Sequence, residues 1–257
     1  MLEVTPVPAF RDNYIWLIHA PKDRSRVLAV DPGEALPVLN LLAARRWELD
    51  GILVTHHHAD HTGGVPRLAG HYGCPVHGPE GEIIPARTHA AGAGDTVSFP
   101  RLGLEFSVLE VPGHTAGHIA FYGHGAVFCG DTLFSAGCGR LFEGTPAEML
   151  ASLEMLAALP PDTQVYCTHE YTESNLAFAA AVEPENREID DYRRQCAALR
   201  SENLPTLPST IRREKRINPF LRIDVDSVRR AATDRGAGSG RTEVFAALRE
   251  WKDDFQG

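Results

Sequence analysis

Residues 51–64 read GILVTHHHADHTGG, and the fold follows from how this stretch is parsed. The apolar run 51–54 has strand character, and Gly63-Gly64 opens onto a helical pattern over 63–72. The loop between them therefore lies at the carboxyl end of a buried strand, where α/β proteins commonly build their sites. It carries His56, His57, His58, Asp60 and His61. Imidazoles and a carboxylate crowded so tightly are hard to explain as solvent decoration. They are the side chains that zinc, iron and manganese take as ligands. The spacing His56-x-His58-x-Asp60-His61 offers more ligands than a single tetrahedral ion needs from one loop.

Outward from this loop, short apolar runs at 14–19, 27–30, 104–111, 118–123 and 126–129 predict further strands, several of them buried on both faces. Helical patterns occupy about 34–46 and 146–158, the second with Thr145 as N-cap and Pro146 in its first turn. The alternation predicts an α/β body. Three later segments repeat the arrangement of strand end followed by candidate ligand. His114 stands in PGHTAGH, Asp131 in CGDTLF and His169 in CTHEYT. Strand ends converging on one rim would supply five histidines and two aspartates. Shared over two ions, with one carboxylate common to both, that gives about four protein contacts each and room for a bridging water or hydroxide.

The other histidines carry less. His57 lies between ligands and is expected to be structural, and His118 to open a strand and bond locally. His19, His71, His77, His89 and His124 read as ordinary surface or core residues. Asp31, in AVDPG, is either a turn former or the acceptor that orients a ligand histidine.

Composition sets the outer limits. A chain of 257 residues with 43% hydrophobic and 23% charged residues suits one large globular domain, or one with a smaller appendage. No apolar run is long enough to span a membrane, and the N-terminus lacks the marks of a secretory signal. Five scattered cysteines read as reduced thiols in a cytoplasmic protein. Cys138 and Cys167 read as small buried hydrophobes rather than nucleophiles. The net charge of −9 argues against a nucleic-acid partner. It is uneven: residues 1–186 carry 10 Lys+Arg against 22 Asp+Glu, and residues 187–252 carry 15 against 10. The basic tail suits either a small anion or simply a solvated helical surface. Residues 173–203 read as two helices broken near Pro184, 204–220 as a polar, Pro-containing connection, and 242–255 as a last helix. The boundary is expected near residue 171, dividing a body over 1–170 from a smaller helical, basic domain over 171–257.

HHHADH, PGHTAGH, CGDTLF and CTHEYT together resemble the metallo-β-lactamase superfamily. DNYIWLI, GDTLFSAGCGRLFEGT, HEYTESNLAFA, INPFLR and ALREWKDDF resemble one branch of it, the glyoxalase II or hydroxyacylglutathione hydrolase family, over residues 12–255. The resemblance implies an αββα sandwich with a helical C-terminal domain that binds glutathione. It implies one metal on His56, His58 and His114, a second on Asp60, His61 and His169, and Asp131 bridging them. Two divalent ions are implied, zinc first with iron or manganese as alternatives, and a metal-bridging hydroxide held by Asp60 and Asp131 as nucleophile. Arg140 and Tyr171 beside the metals, and Arg249 and Lys252 on the last helix, are implied as glutathione contacts. Phe142 departs from the pattern, which can place a glutathione-contacting tyrosine there. The implied reaction is hydrolysis of S-D-lactoylglutathione to D-lactate and glutathione by a cytoplasmic monomer, completing methylglyoxal detoxification. Two rivals stand beside it: a one-iron glutathione persulfide dioxygenase of the same superfold, which is expected to lack the C-terminal helical region, and a non-catalytic metal- or glutathione-binding protein.

Overall fold

The computed structural model describes residues 2–256. The chain divides into two compact units, one of Met1–Glu110 with Thr115–Gly130, the other of Val111–His114 with Asp131–Gly257.

The first unit opens with strands β1 (Val4–Ala9), β2 (Asn13–Ala20) and β3 (Asp23–Val30), followed by helix α1 (Ala35–Arg45). β4 (Glu48–Leu53), α2 (Ala59–Thr62), α3 (Val65–Tyr72), β5 (Val76–Pro79) and β6 (His89–Ala91) come next. The six strands form a sheet in sequence order, antiparallel from β1 to β3 and parallel from β3 to β6. All eight residues of β2 are buried, as befits a strand covered on both faces. Side chains alternate across a strand, so Ile15 and Leu17 face one way with Val27, Ala29 and Ile52. Val38 and Leu42 of α1 and Val65 and Leu68 of α3 complete that core. α1 ends at Arg46 and α3 at Gly73, both in the left-handed conformation that closes helices.

β7 (Thr96–Phe99), β8 (Leu104–Glu110), β9 (Ile119–Gly123) and β10 (Ala126–Gly130) form an antiparallel meander. β8 alternates strictly at its start: Leu104, Phe106 and Val108 are buried while Glu105 and Ser107 are exposed. Phe99 of β7 meets His77 of β5 edge-on at 5.2 Å. Burial, with His89 stacked alongside, pushes the His77 imidazole down to about 4. It is therefore a neutral packing residue at physiological pH.

The second unit contains the hairpin β11 (Leu133–Phe134) and β12 (Gly137–Cys138), then α4 (Pro146–Ala157) and β13 (Gln164–Cys167). α5 (Thr172–Val182), α6 (Arg187–Ser201), β14 (Ser209–Thr210), α7 (Ile211–Ile217), a 3-10 turn over Pro219–Leu221, α8 (Asp226–Thr233) and α9 (Arg241–Asp254) complete it. Thr145 caps α4 in a reciprocal capping box with Glu148. The break near Pro184 falls as expected: α5 stops at Val182, and Asn186 caps α6 by accepting from the Glu188 amide. Leu176, Ala179, Ile189, Tyr192, Cys196 and Ile217 pack into one core. Phe178, Phe220 and Phe245 build another, with ring centroids 5.9 and 5.6 Å apart.

Residues 204–220 are not a simple connection, because α7 lies within them. Its inward face is Ile211, Glu214 and Ile217, spaced three apart, so the apolar period is interrupted by a carboxylate. Glu214 is fully buried, and it accepts from the hydroxyls of Ser209 and Ser135, the amide of Ala136 and Nδ2 of Asn218. Burial pushes its carboxyl up, opposed by those donors. Among the described residues, no helix is long and apolar enough to cross a membrane.

Candidate metal centre

The first unit sets its ligand loop on the end of β4. His56 and His61 are wholly buried, and His58 is half-buried. Asp31 follows β3 in a left-handed conformation (φ 49°), and its carboxylate faces the loop. One oxygen accepts from the Thr55 amide at 2.7 Å. The other accepts from the Thr55 hydroxyl at 2.7 Å and from His61 Nδ1 at 3.0 Å. Since Thr55 gives its only hydroxyl proton to Asp31, His56 Nδ1, 3.1 Å from that oxygen, is the donor there. Both imidazoles thereby carry their proton on Nδ1 and turn the Nε2 lone pair outward, the state a metal ligand requires. His56 Nε2 lies 3.1 Å from His58 Nδ1. Asn13 Nδ2 donates to the Asp60 carboxylate at 3.2 Å and holds it near His61. His118 lies just before β9 rather than in it, and it is buried with its ring stacked on His56 at 4.5 Å.

The second unit holds His114, Asp131 and His169, each nearly buried. His114 Nδ1 donates to the Arg140 carbonyl at 2.8 Å, again freeing Nε2. A single carboxylate oxygen of Asp131 lies 3.5 Å from His114 Nε2 and 3.2 Å from His169 Nε2. Gly139 is needed for this approach: a Cβ there would lie 1.9 Å from the Asp131 carbonyl and 3.1 Å from His114 Nδ1. The donor set suits a divalent cation, because carboxylates accompany imidazoles and three of these, His56, His61 and His114, have their second nitrogen fixed by an oxygen partner. Each of the seven ligand candidates belongs to at least one group of three side chains that could hold a metal ion.

Tyr171 stacks on His169 at 4.7 Å with its ring parallel, and Phe142 meets His114 edge-on at 5.2 Å while remaining largely exposed. Arg140 is exposed and lies 3.4 Å from Asp253. Lys252 is half-buried over Phe178 and Phe255 and donates to the Ser174 carbonyl at 3.2 Å. Arg249 differs from the expected ligand contact, being only 5% exposed. Its Nη1 donates to the carbonyls of Cys138 (2.8 Å) and Gly139 (3.4 Å), and its Nη2 pairs with Asp253 at 3.0 Å. The guanidinium braces the turn leading to Arg140 rather than offering those donors to a ligand. Several arginines of the tail are also already paired with carboxylates. Arg212 pairs with Asp162, Arg216 with Glu188, Arg222 with Glu183 and Arg241 with Asp224 and Glu154. The solvated-surface reading of that charge therefore fits better than an anion site spread over the tail.

Comparison with known proteins identifies the family. Residues 10–169 match the family model described as the metallo-beta-lactamase superfamily, and residues 170–255 the one described as hydroxyacylglutathione hydrolase C-terminus. A hydroxyacylglutathione hydrolase of Photobacterium profundum is 51% identical over 99% of this chain and 100% of its own length. One from Aliivibrio salmonicida is 53% identical over the same shares. Among solved structures, ETHE1 from Myxococcus xanthus matches with a TM-score of 0.66 at 24% identity, covering 96% of this chain and 89% of its own. TTHA1623, solved in a di-iron-bound form, matches with a TM-score of 0.60 at 26% identity, covering 84% of this chain and 100% of its own. The fold is thus the metallo-β-lactamase fold of mixed sheets and helices, with a helical C-terminal domain, and its His/Asp clusters could bind metal.

Proposed function

The chain belongs to the hydroxyacylglutathione hydrolase family, and from that premise we propose that it hydrolyses the thioester of S-D-lactoylglutathione and related 2-hydroxyacylglutathiones to the hydroxy acid and glutathione. The observation that carries the chemistry is the single Asp131 oxygen shared by His114 and His169. Two divalent ions are proposed, one on His56, His58 and His114, the other on Asp60, His61 and His169, with Asp131 common to both. Support comes from the side-chain groups able to hold an ion, which include those two triples. Zinc suits the His/carboxylate set, with iron and manganese as the alternatives that elemental analysis separates. Ions held there would supply Lewis acidity and acidify a water to hydroxide near neutrality, and Asp60 and Asp131 are the residues that would hold that water.

The chain's own residues then hold and orient. Asp31, Thr55 and the Arg140 carbonyl fix the ligand imidazoles with Nε2 available. Tyr171 and Phe142 flank the ligand histidines as apolar walls. The departing glutathione sulfur needs no proton donor, because a thiol of pKa about 8.5 leaves as thiolate near neutrality. The proposed division of labour puts catalysis in residues 1–170 and glutathione binding in 171–257, supported by family models that meet at 169 and 170. Arg140, Tyr171 and Lys252 are the proposed glutathione contacts, and Arg249 supports Arg140 from behind. Five buried cysteines, none of them in a disulfide, suit a reducing cytoplasm.

The test is hydrolysis of S-D-lactoylglutathione by the purified protein, followed as loss of thioester absorbance, with metal per chain measured on the same sample. Turnover with about two metals per chain supports the reading. A fully metallated sample without turnover refutes it, and oxygen consumption with glutathione persulfide is then the next assay. The lysine adds a pH dependence. Burial pushes the Lys252 ammonium down to about 8, with Arg249 adding repulsion. Its positive charge is present below that pH and lost above it. The KM for the anionic thioester is expected to be flat below about pH 7 and to rise several-fold as the pH passes through 8. Lys252→Arg, which stays charged, should flatten the rise. A native KM unchanged up to about pH 9 would remove Lys252 from the binding site.

A further inference from the structure

Three residues flank the proposed ligands without a part in the chemistry: His57 inside the first loop, and Thr115 and Gly117 just after His114. One side chain accounts for all three. Glu82, 8% exposed, follows β5 in a turn, and Arg87 Nη1 holds that turn by donating to the carbonyls of Glu82 (2.8 Å) and Pro79. Its Oε2 accepts from His57 Nδ1 at 2.9 Å. Its Oε1 accepts from the Thr115 hydroxyl and from the Gly117 amide at 3.1 Å. Gly117 has no room for a side chain, since a Cβ would lie 2.6 Å from Glu82 Cγ.

We infer that Glu82 is a positioning residue for the metal centre, a carboxylate clamp joining the loop of His56 and His58 to the residues that follow His114. The inference rests on the proposed metal site but not on the proposed substrate. Its reasoning is geometric. A carboxylate offers two oxygens in a fixed plane and can take donors from two segments at once. His57 is held by Oε2, and it lies in sequence between His56 and His58, so its anchoring restrains the backbone that carries both. Oε1 in turn fixes the peptide run immediately beyond His114. Removing Glu82 leaves three donors to find other partners and frees both segments together. Partners behind metal ligands commonly govern affinity by about 10–100-fold.

The experiment measures the chelator concentration that strips half of the bound metal from the full-length holoprotein, with thermal midpoints recorded alongside. For Glu82→Ala that concentration is expected to fall at least about tenfold. Glu82→Gln keeps an acceptor for Thr115 and Gly117 and should recover at least half of the loss on a logarithmic scale. Glu183→Gln is the control: it disturbs an equally buried carboxylate bound to Arg222 and Ser227, and should lower the thermal midpoint without easing metal release. Should Glu82→Ala fail to fold, His57→Ala and Thr115→Val each remove one partner and should each ease release about threefold or more. Native retention in Glu82→Ala overturns the clamp. So does a Gln variant no better than Ala, an equal loss in the control, or no easing in either partner variant. A native protein that retains metal but leaves the thioester intact refutes the proposed reaction while the clamp is still judged by its own result.

Discussion

Asp131→Ala is expected to lose bound metal and to lower kcat by about a thousandfold or more, because removing a divalent ion forfeits several kcal/mol of stabilisation and each 1.4 kcal/mol is tenfold in rate. One oxygen of Asp131 lies within 3.5 Å of Nε2 of both His114 and His169, which are assigned to different ions. Its loss therefore touches both positions at once, where loss of any one histidine would touch a single ion. The side chain is small and stands outside the apolar cores, so the variant should fold with native secondary structure. Asp131→Asn separates charge from shape. It retains one acceptor but replaces an anionic oxygen with an amide nitrogen that cannot serve a cation. Metal loss close to that of alanine is expected. Elemental analysis after dialysis and initial rates on the same protein check both. Two retained ions with native turnover would end the bridging assignment.

The candidate ligands stand out in the sequence because their signal is local. His56, His58, Asp60 and His61 share one loop, and His114, Asp131 and His169 each follow an apolar run that the chain must bury as a strand. Burial supplies the periodicity, and the strand end supplies the position. What escaped was polar and non-local. Glu214 sits on the buried face of α7 and erases the apolar period there, so a helix read as a connection. Arg249 satisfies two carbonyls of a turn more than a hundred residues earlier, and no spacing announces such a pairing. Glu82 lies in GPEGE with nothing to mark it, since its donors come from residues 57, 115 and 117. Asp31 was half legible. Asp-Pro-Gly signals a turn, and a turn it makes, with the Gly33 amide returning to its carbonyl at 2.9 Å. Only the three-dimensional neighbourhood shows that its carboxylate also grips the metal loop.

That grip gives the second large effect. Asp31→Ala should lower the thermal midpoint by about 10 °C and leave the metal position of Asp60, His61 and His169 the weaker of the two. Asp31 is 1% exposed and accepts from the Thr55 amide, the Thr55 hydroxyl and His61 Nδ1. A buried donor deprived of its acceptor costs about 1–3 kcal/mol, so three donors lose roughly 3 kcal/mol or more even after partial relaxation. For a chain of this size each kcal/mol moves the midpoint by about 2–4 °C. The metal effect is separate. Without the carboxylate, His61 is no longer held in the tautomer that presents Nε2, and affinity at its ion should fall about 10–100-fold. An ion proposed on His56, His58 and His114 should lose less, because His114 is oriented by the Arg140 carbonyl and Asp31 reaches His56 through Thr55. Extensive dialysis should then leave about one metal per chain in place of the two expected of the native protein. Asp31→Asn sharpens the test. Its amide can accept from the Thr55 backbone but presents a donor to the Thr55 hydroxyl and His61 Nδ1, where acceptors are needed. It should recover part of the lost stability and little of the lost metal. Two tightly held ions in both variants would show that His61 keeps its orientation without Asp31, and that the loop itself, not the carboxylate beneath it, sets the geometry of the site.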